Sequence, residues 1–332
     1  MNYDAIMIVT FGGPDTMADV MPFLENVLRG KNVPRERMLE VAHHYELFDG
    51  KSPINDQNVE LKQLLEERMR NQSPRLPVYI GNRNWHPFIE DTLRQMQADG
   101  VKRVLAFIAS GYSCYSGCRQ YREDIQRARE AIGDDAPTVD KIRVFFNHPL
   151  FIQANADHVR AALDRLPPDA RDAAPLLFTA HSIPQAMADR CRYQAQLEEA
   201  ARLVADAVGH ANWRLIYQSR SGPPHQPWLE PDVCDVIESL ADEGVRHLVI
   251  SPVGFTSDHM EVLFDLDTEA RELCDRLEIQ MERAPAAGNH PAFIEMVHDL
   301  IAERIEERAA RPALGRLGPS HDVCPEQCCM PR

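Results

Sequence analysis

"GVKRVLAFIAS", residues 100–110, and "GVRHLVISPVG", residues 244–254, are two versions of one pattern. Each starts with a glycine that follows an amphipathic segment of helical periodicity, and each continues as a short aliphatic run. A glycine directly after a helix is typical of the left-handed residue that ends it, and a short aliphatic run bounded by turn residues is typical of a buried strand. We therefore expect Gly100 and Gly244 to cap helices, with a buried strand after each.

The same duplication extends to other predicted strands. "AIMIVTFGGP" (5–14) resembles "PLLFTAHSIP" (175–184), and "PVYIGNRNWHP" (77–87) resembles "RLIYQSRSGPP" (214–224). Aliphatic runs that alternate with helical patterns are typical of βαβ units and of a mostly parallel sheet. The sequence therefore predicts an α/β fold with two similar doubly wound, Rossmann-like parallel-sheet domains.

The expected domain boundaries follow from this duplication. A chain of 332 residues is long enough for two cores, since single cores stop growing at roughly 250–300 residues. Residues 1–150 are expected to form the N-terminal domain and residues 151–310 the C-terminal domain. Residues 311–332 lose periodicity and gain proline and glycine, which predicts a linker-like tail that carries three cysteines.

A further repeated pair, "NHPLFI" (147–152) and "NHPAFI" (289–294), places a histidine directly before a proline. Proline is favoured in the first turn of a helix, where its missing N–H has no intrahelical partner. We therefore interpret His148 and His290 as helix-entry residues in preference to metal ligands.

Composition excludes several classes of protein. The net charge of −15 argues against a nucleic-acid partner, because a phosphate backbone requires a basic face. No apolar run approaches the ~18 residues that span a bilayer, so no transmembrane segment is expected. The N-terminal residues show no basic flank or cleavage site, and together these features predict a cytoplasmic protein.

An acidic row follows the strand that ends at "SPVGF". On a helix, Glu261, Asp265 and Glu269 stand at positions i, i+4 and i+8, about 6 Å apart per step, just after His259. Like charges at this spacing repel, and a hydrated divalent cation would relieve the repulsion. The alternative is a solvated acidic face near a helix start, where the helix dipole favours carboxylates.

A second candidate residue, His181, follows the first strand of the second half. Ligands of open parallel sheets bind beyond the carboxyl ends of the strands, so His181 is a candidate proton acceptor that faces the acidic row. "FGGPD" after the first strand is too short to cradle a pyrophosphate and lacks the glycine fingerprint, so no nucleotide cofactor is expected.

Long stretches of the chain resemble the signature sequences of ferrochelatases: "TAHSIPQ", "YQSRSGPPHQPWLEPD" and "SPVGFTSDHMEVLFDLD", together with "FGGP", "GNRNWHP" and "GKSPIN" in the first half. The resemblance runs in order from residue 3 to about residue 310. It implies the chelatase fold, with a porphyrin cleft between two domains, and insertion of the substrate Fe2+ into a porphyrin without an organic cofactor.

The resemblance also implies roles for individual residues. His181 is implied to be the base or the last metal ligand, with Glu261 opposite or beside it. His259, Asp265 and Glu269 are implied to form a path that delivers Fe2+ or drains protons. The residues implied to contact the porphyrin are Phe11, Arg29, Ser52 and Tyr121.

The substrate is predicted from the branch of the family. "FGGP", "GNRNWHP" and "YSGC" look most like the ferrochelatases that metallate coproporphyrin III, which predicts synthesis of coprohaem III. The alternatives are metallation of protoporphyrin IX, a chelatase for another tetrapyrrole or metal such as cobalt, a porphyrin or haem carrier without activity, and an iron–sulfur redox sensor.

The cysteines divide into two groups. Cys191, Cys234 and Cys274 are scattered in stretches that look helical, whereas Cys324, Cys328 and Cys329 crowd the tail. Three thiols are too few for a four-thiolate cluster, so a fourth must come from the body of the protein.

By resemblance to family members that carry a 2Fe-2S cluster, the fourth cysteine is Cys118, with Cys114 as the alternative. A tail with incidental thiols and a zinc site are the rival interpretations of these cysteines. We expect a monomer, because no self-complementary apolar stripe is visible in the sequence.

Overall fold

The computed structural model describes residues 2–31, 33–223 and 225–331. The chain divides into two compact units. The first contains Met1–Ala109, Gln120–Ile142 and Val297–Arg308, and the second contains Ser110–Arg119, Arg143–Met296 and Ala309–Arg332. The sequence-based boundaries at residues 150 and 310 stay a prediction.

The first unit is built on a four-stranded parallel sheet of order β2-β1-β3-β4. Its elements along the chain are β1 (Ala5–Thr10), α1 (Met17–Val27), α2 (Arg35–Glu46), α3 (Ile54–Asn71), β2 (Val78–Asn82), α4 (Ile89–Ala98), β3 (Arg103–Ile108), α5 (Gln120–Ile132) and β4 (Thr138–Lys141). The central strand β1 is buried at every residue, as expected for a strand covered on both faces.

The second unit repeats this sheet with the order β6-β5-β7-β8, again parallel throughout. After the π-helical turn Tyr115–Arg119, its elements are α6 (Pro149–Leu163), β5 (Leu176–His181), α7 (Gln185–Ala188), α8 (Tyr193–Val208), β6 (Trp213–Gln218), α9 (Val233–Asp242), β7 (His247–Ser251), α10 (Met260–Val262), the π-helix Leu263–Ala270, α11 (Arg271–Arg276), β8 (Gln280–Arg283) and the start of α12 (Pro291–Ile305). The predicted fold of two similar parallel-sheet halves is confirmed.

Both predicted helix caps are confirmed. Gly100 and Gly244 have φ angles of +81° and +84°, in the left-handed region that glycine adopts without strain. Each is followed by a valine whose N–H bonds back to the last turn of the helix: Val101 to Met96, and Val245 to Leu240. This bonding pattern ends α4 and α9, and the chain continues from them into β3 and β7.

The two predicted helix-entry histidines also lie where the sequence places them. Nδ1 of His148 accepts a hydrogen bond from the N–H of Leu150 at 3.3 Å, and Nδ1 of His290 accepts one from Ala292 at 3.1 Å. Each imidazole therefore caps the first turn of its helix, in the way that a serine or asparagine caps others.

The tail of the chain has no helix or strand among its described residues, 309–331, but it is fastened to the second unit. Arg143 donates to the Pro312 carbonyl at 2.9 Å, and Asn147 donates to the Leu314 carbonyl at 3.0 Å. Gly315 has φ +75° and approaches Glu199 so closely that an added Cβ would lie 2.0 Å from the carboxylate oxygen. The predicted linker is therefore an anchored segment.

Among the helices in the described ranges, none is both long and apolar enough to cross a membrane.

Candidate active site

His181 is the last residue of β5, where it pairs with Gln218 of β6. Its Nδ1 lies 2.5 Å from the Ser182 carbonyl oxygen, and the Tyr193 hydroxyl donates to the His181 carbonyl at 3.1 Å. Because a carbonyl can only accept, Nδ1 carries a proton in this arrangement. The other ring nitrogen, Nε2, lies 3.2 Å from Oε1 of Glu261.

The contact between His181 and Glu261 is an ion pair. Burial disfavours the imidazolium, but the adjacent Glu261 carboxylate outweighs it and raises the pKa of His181 to about 9. Burial likewise opposes ionisation of Glu261, yet the His181 imidazolium lowers the pKa of that carboxyl. The two side chains are 34% and 43% exposed, so solvent screens the pair and a ligand has access to it. At neutral pH the pair holds its proton on the imidazole.

The acidic row lies on a π-helical segment, and not on the regular α-helix assumed for its spacing. Glu261 lies in the short helix α10, whereas Asp265 and Glu269 lie in the π-helix Leu263–Ala270. A π-helix has i→i+5 hydrogen bonds and more residues per turn than an α-helix. Two residues that are four apart therefore span slightly less than one full turn of a π-helix, whereas in an α-helix they span slightly more than one turn. The three acids still share one face, and they run from half-buried Glu261 and Asp265 to exposed Glu269.

Asp265 is held by two residues that the sequence analysis did not single out. Nε2 of Gln218 donates to its Oδ2 at 3.1 Å, and the Ser219 hydroxyl donates to the same oxygen. Burial and the Glu261 charge outweigh these bonds and raise the pKa of Asp265 to about 7. Ser219 has φ +63°, a left-handed conformation that is uncommon outside glycine and worth a functional explanation. Its position directly after β6 is the signal that could have identified it.

His259 caps the helix that carries Glu261. Its Nδ1 accepts from the Val262 N–H at 3.4 Å, and its ring meets the Phe255 ring edge-on at 5.2 Å between centroids. Burial, with the neighbouring His181 charge, lowers the pKa of His259. His259 is therefore neutral at pH 7, as a metal ligand must be.

Arg283, at the end of β8, fixes the segment around the acidic row. Its guanidinium contacts Asp258 at 2.8 Å and Asp267 at 2.6 Å, and its side chain is only 14% exposed. Because one guanidinium binds both carboxylates, it links the loop before α10, which carries Asp258, to the π-helix, which carries Asp267. The sequence analysis missed Arg283, because its partners are 16 and 25 residues away in the chain.

Gly254 explains how β7 approaches the site so closely. A Cβ at this position would lie 2.4 Å from the Ala180 Cβ and 2.6 Å from the Ala180 Cα, next to His181. Real Cβ atoms do not approach backbone atoms so closely, so only glycine fits there. The glycine of "SPVGF" thus sets the spacing between the strand that carries His181 and the loop that leads to the acidic row.

The residues expected to contact a porphyrin all lie in the first unit. Phe11 is 38% exposed just beyond β1, and Arg29 hydrogen-bonds Asn26. Ser52 and Tyr121 are buried, at 3% and 6% exposure. The Arg83 guanidinium stacks over the Tyr121 ring at 5.3 Å. Phe11 and Arg29 are accessible to a ligand in this structure, whereas Ser52 and Tyr121 are covered.

The tail cysteines lie in the second unit, as do Cys114 and Cys118. The sulfurs of Cys328 and Cys329 are 3.5 Å apart. The guanidinium of Arg119, the residue after Cys118, donates a hydrogen bond to the Cys328 carbonyl at 3.1 Å. This bond holds the tail close to Cys118. Burial raises the pKa of the Cys329 thiol, and the nearby thiol groups of Cys328, Cys191 and Cys114 raise it further. Several cysteine thiols close together are the ligands that an iron–sulfur cluster requires.

Cys191, which the sequence analysis placed in a stretch that looks helical and gave no role, is a further cysteine near these thiols. It lies between α7 and α8, and burial, with the nearby thiols of Cys114 and Cys328, raises its pKa to about 11. Only the folded chain brings it to the thiol group, because no spacing in the sequence links it to the tail.

Solved structures of chelatases share the fold. The structure of SirB from Bacillus subtilis with Fe3+ aligns with a TM-score of 0.57 over 92% of this chain and 98% of that one, at 13% identity. A SirB structure in complex with cobalt, from Bacillus subtilis subspecies spizizenii, aligns with a TM-score of 0.54 over 94% and 99%, at 11% identity. These likenesses support the predicted chelatase fold and nothing beyond the fold.

Sequence comparison identifies the family. A protein named ferrochelatase from Rhodopirellula baltica is 59% identical over 99% of this chain and 93% of its own length. Proteins named coproporphyrin III ferrochelatase from Nocardia farcinica and Streptomyces griseus are 48% and 47% identical, over 98% and 94% of their own lengths. The family model named Ferrochelatase matches residues 3–305, and the chain therefore belongs to the ferrochelatase family.

Proposed function

We propose that this chain inserts Fe2+ into a porphyrin in haem biosynthesis, and that its substrate is coproporphyrin III. The single observation that carries the proposal is the His181–Glu261 pair, which continues into an acidic row that ends at exposed Glu269. The names of the Nocardia and Streptomyces relatives support coproporphyrin III as the substrate.

The reaction poses a physical problem that the protein must solve. A flat porphyrin carries two inward N–H groups and does not admit a metal ion that has lost its water. An enzyme that binds the ring in a bent form uses contacts at the ring's edge to bring its centre closer to the transition state. A base must then remove the two pyrrole protons as the metal enters.

His181 and Glu261 are proposed to act at the ring's centre. With its pKa raised to about 9, His181 is protonated before the metal arrives and must lose that proton before it acts as a base or a ligand. Fe2+ near Glu261 would favour this loss by charge repulsion. Each of these two roles requires the lone pair of Nε2, the nitrogen that faces Glu261.

The acidic row is proposed to exchange metal for protons. Insertion of one Fe2+ releases two protons, so the exchange leaves the charge of the site unchanged. Asp265, with a pKa of about 7, is close to half protonated at neutral pH and is suited to accept a proton from its neighbour and pass it on. His259 and Glu269 complete the proposed path, with Glu269 at its exposed end.

The porphyrin carboxylates require donors, and Arg29, Ser52 and Tyr121 are the proposed ones. Phe11 is proposed to contact the ring's apolar face. Because Ser52 and Tyr121 are buried in this structure, their hydroxyls would have to become accessible when the porphyrin binds.

We also propose a 2Fe-2S cluster in the tail, held by Cys324, Cys328, Cys329 and a fourth ligand. The family resemblance implies that the fourth is Cys118, with Cys114 as the alternative. A bound cluster supplies one-electron redox chemistry, and no step of metal insertion proposed here requires it.

We further propose a cytoplasmic location and a monomeric state, both expected from the sequence. Size-exclusion chromatography with light scattering tests the monomeric state.

The experiment that tests the function is an anaerobic assay with Fe2+ and, in parallel, coproporphyrin III and protoporphyrin IX. We expect loss of free-porphyrin absorption, faster with coproporphyrin III. Faster turnover of protoporphyrin IX would contradict the proposed substrate. If both porphyrins bind and neither is metallated, the chain is a carrier and the proposed activity is wrong.

Two variants test the acidic row in the same assay. Glu261→Gln and Asp265→Asn are expected to lower the insertion rate at least tenfold, because the first removes a charge beside His181 and the second removes a carboxyl that can accept and release protons. Glu272→Gln, an exposed acid on α11, is the matched control and should leave the rate unchanged. If Glu261→Gln and Asp265→Asn behave like the control, the row is a solvated face.

A further inference from the structure

Two buried tyrosines donate hydrogen bonds to the backbone of the segments that form the candidate site. The Tyr193 hydroxyl donates to the His181 carbonyl at 3.1 Å, and the Tyr112 hydroxyl donates to the Val253 carbonyl at 2.8 Å. His181 is the last residue of β5, and Val253 directly precedes Gly254, the glycine that lets the turn after β7 approach β5. The two hydroxyls therefore bond the end of β5 and the turn after β7.

The ladder between β5 and β7 ends before it reaches these carbonyls. The last residue pair of the two strands is Phe178 opposite Ser251. Beyond this pair, the Gly254 N–H donates to the Thr179 carbonyl at 3.0 Å. His181 lies two residues further along the chain than Thr179. The placement of His181 relative to the turn after β7 therefore depends on contacts other than the ladder, and the two tyrosine hydroxyls are among them.

The two tyrosines also contact each other. Tyr112 and Tyr193 are 2% and 6% exposed, and their rings meet edge-on, with 6.1 Å between centroids and an interplanar angle of 84°. The Tyr112 ring lies 6.4 Å from the rings of both Phe146 and Phe151. Because these rings are packed against one another, a shift of one tyrosine would displace the other.

Gln196 ties together the two segments that carry the tyrosines. Its Oε1 accepts from the Ser113 N–H at 2.7 Å, and its Nε2 donates to the Ser113 hydroxyl at 3.1 Å. Ser113 follows Tyr112, and Gln196 lies about one turn after Tyr193 on α8. Burial raises the pKa of both tyrosines above the ordinary value of about 10, so both hydroxyls keep their protons at neutral pH and can donate.

We propose that Tyr112 and Tyr193 are positioning residues for metal insertion, and that their hydroxyls hold the two backbone segments so that His181 faces Glu261. The proposal deepens the proposed function and rests on it. The Tyr193 bond orients the peptide between His181 and Ser182, and the Ser182 carbonyl in turn lies 2.5 Å from Nδ1 of His181. Rotation of this peptide would turn Nε2 of His181 away from Glu261, which now lies 3.2 Å from it.

The first test replaces each tyrosine with phenylalanine in the whole protein, which keeps the ring and removes the hydroxyl. In the anaerobic insertion assay, we expect kcat to fall about tenfold in Tyr112→Phe and in Tyr193→Phe, because a buried carbonyl loses its partner and the reacting groups move apart. The KM for the porphyrin should stay within about twofold of the wild-type value, because neither hydroxyl is proposed to contact the porphyrin.

Tyr3→Phe is the matched control for both variants. Tyr3 is also buried, and its hydroxyl donates to Asp140 at 3.0 Å in the first unit. This variant should lower the melting temperature as the other two do and keep the wild-type kcat. A wild-type kcat in Tyr112→Phe or in Tyr193→Phe overturns the proposal, as does an equal loss of kcat in Tyr3→Phe.

A second readout does not depend on activity. In protein labelled with 15N-histidine, the Nδ1–H resonance of His181 is identified by its absence from the spectrum of His181→Asn. We expect Tyr193→Phe to shift this resonance and to speed its exchange with water, and Tyr3→Phe to leave it unchanged. If the wild type inserts no metal, the proposed function is wrong, and this resonance alone decides the positioning role. An unchanged resonance in Tyr193→Phe overturns the proposal.

Discussion

At the scale of the residue, the ionisation of the site is set by pairs of neighbours. His181 and Glu261 stabilise each other's charge, whereas Asp265 lies beside the Glu261 carboxylate and is pushed towards its neutral form. The sequence identified all three residues, but their different ionisation could not be predicted from it. Each pKa depends on burial and on distances of a few ångströms that only the folded chain defines.

Ser219 provides the test at this scale. Its hydroxyl bonds the Asp265 carboxylate, so Ser219→Gly removes that bond while keeping a residue suited to φ +63°. Hydrogen bonds to the charged form lower a pKa, so their loss should raise the pKa of Asp265 further. We expect the acid limb of the pH profile for Fe2+ insertion to move to higher pH, with about a tenfold loss of rate at pH 7. Ser219→Asn, which keeps a polar side chain, should recover part of the rate, and an unchanged profile in Ser219→Gly would contradict this role.

At the scale of the element, the end of β7 must approach β5 closely for His181 to face the acidic row. Gly254→Ala places a methyl group 2.4 Å from the Ala180 Cβ, so the backbone must shift. We expect a loss of about 1–3 kcal/mol of stability and a clear loss of insertion rate, because His181 follows Ala180. Gly244→Ala is the matched control, since it strains a left-handed residue but meets no atom within 4 Å. It should lower the melting temperature without lowering the rate; equal effects of both variants on the rate would refute the argument.

The entry turn of α6 gives a second prediction at this scale, about stability and pH. Burial, with the nearby Arg143 charge, lowers the pKa of His148 to about 3, below the unfolded value of about 6.5. The unfolded chain therefore binds a proton that the folded one excludes, and stability is lost as the pH falls from about 6.5 towards about 3, by up to about 1.4 kcal/mol per pH unit. His148→Asn keeps a capping side chain that does not titrate, and should flatten this slope in urea unfolding. Parallel curves for the variant and the wild type would disprove the prediction.

At the scale of the whole molecule, the net charge of −15 acts on two oppositely charged substrates. An acidic protein attracts Fe2+ and repels a porphyrin carboxylate, and salt screens both effects over about 10 Å at 0.1 M. Raising the salt from about 0.02 M to about 0.3 M should therefore raise the KM for Fe2+ and lower the KM for the porphyrin. Steady-state assays in a salt that does not bind iron measure both. Shifts in the same direction would mean that local contacts, and not the net charge, govern capture.

The sequence by itself determined the duplicated parallel-sheet fold, the caps at Gly100 and Gly244 and the family. These features depend on local periodicity and on motifs of neighbouring residues, which are written directly in the chain. Tertiary structure alone decided the π-helical course of the acidic row, the bonds from Gln218 and Ser219 to Asp265, the ion pairs of Arg283 and the approach of Cys191 to the thiols. The contacts of Gln218, Ser219, Arg283 and Cys191 depend on packing between segments that are distant in the chain. The π-helix depends on a hydrogen-bonding pattern that differs from an α-helix by one residue. Neither packing between distant segments nor this small difference in hydrogen bonding leaves a local pattern in the sequence.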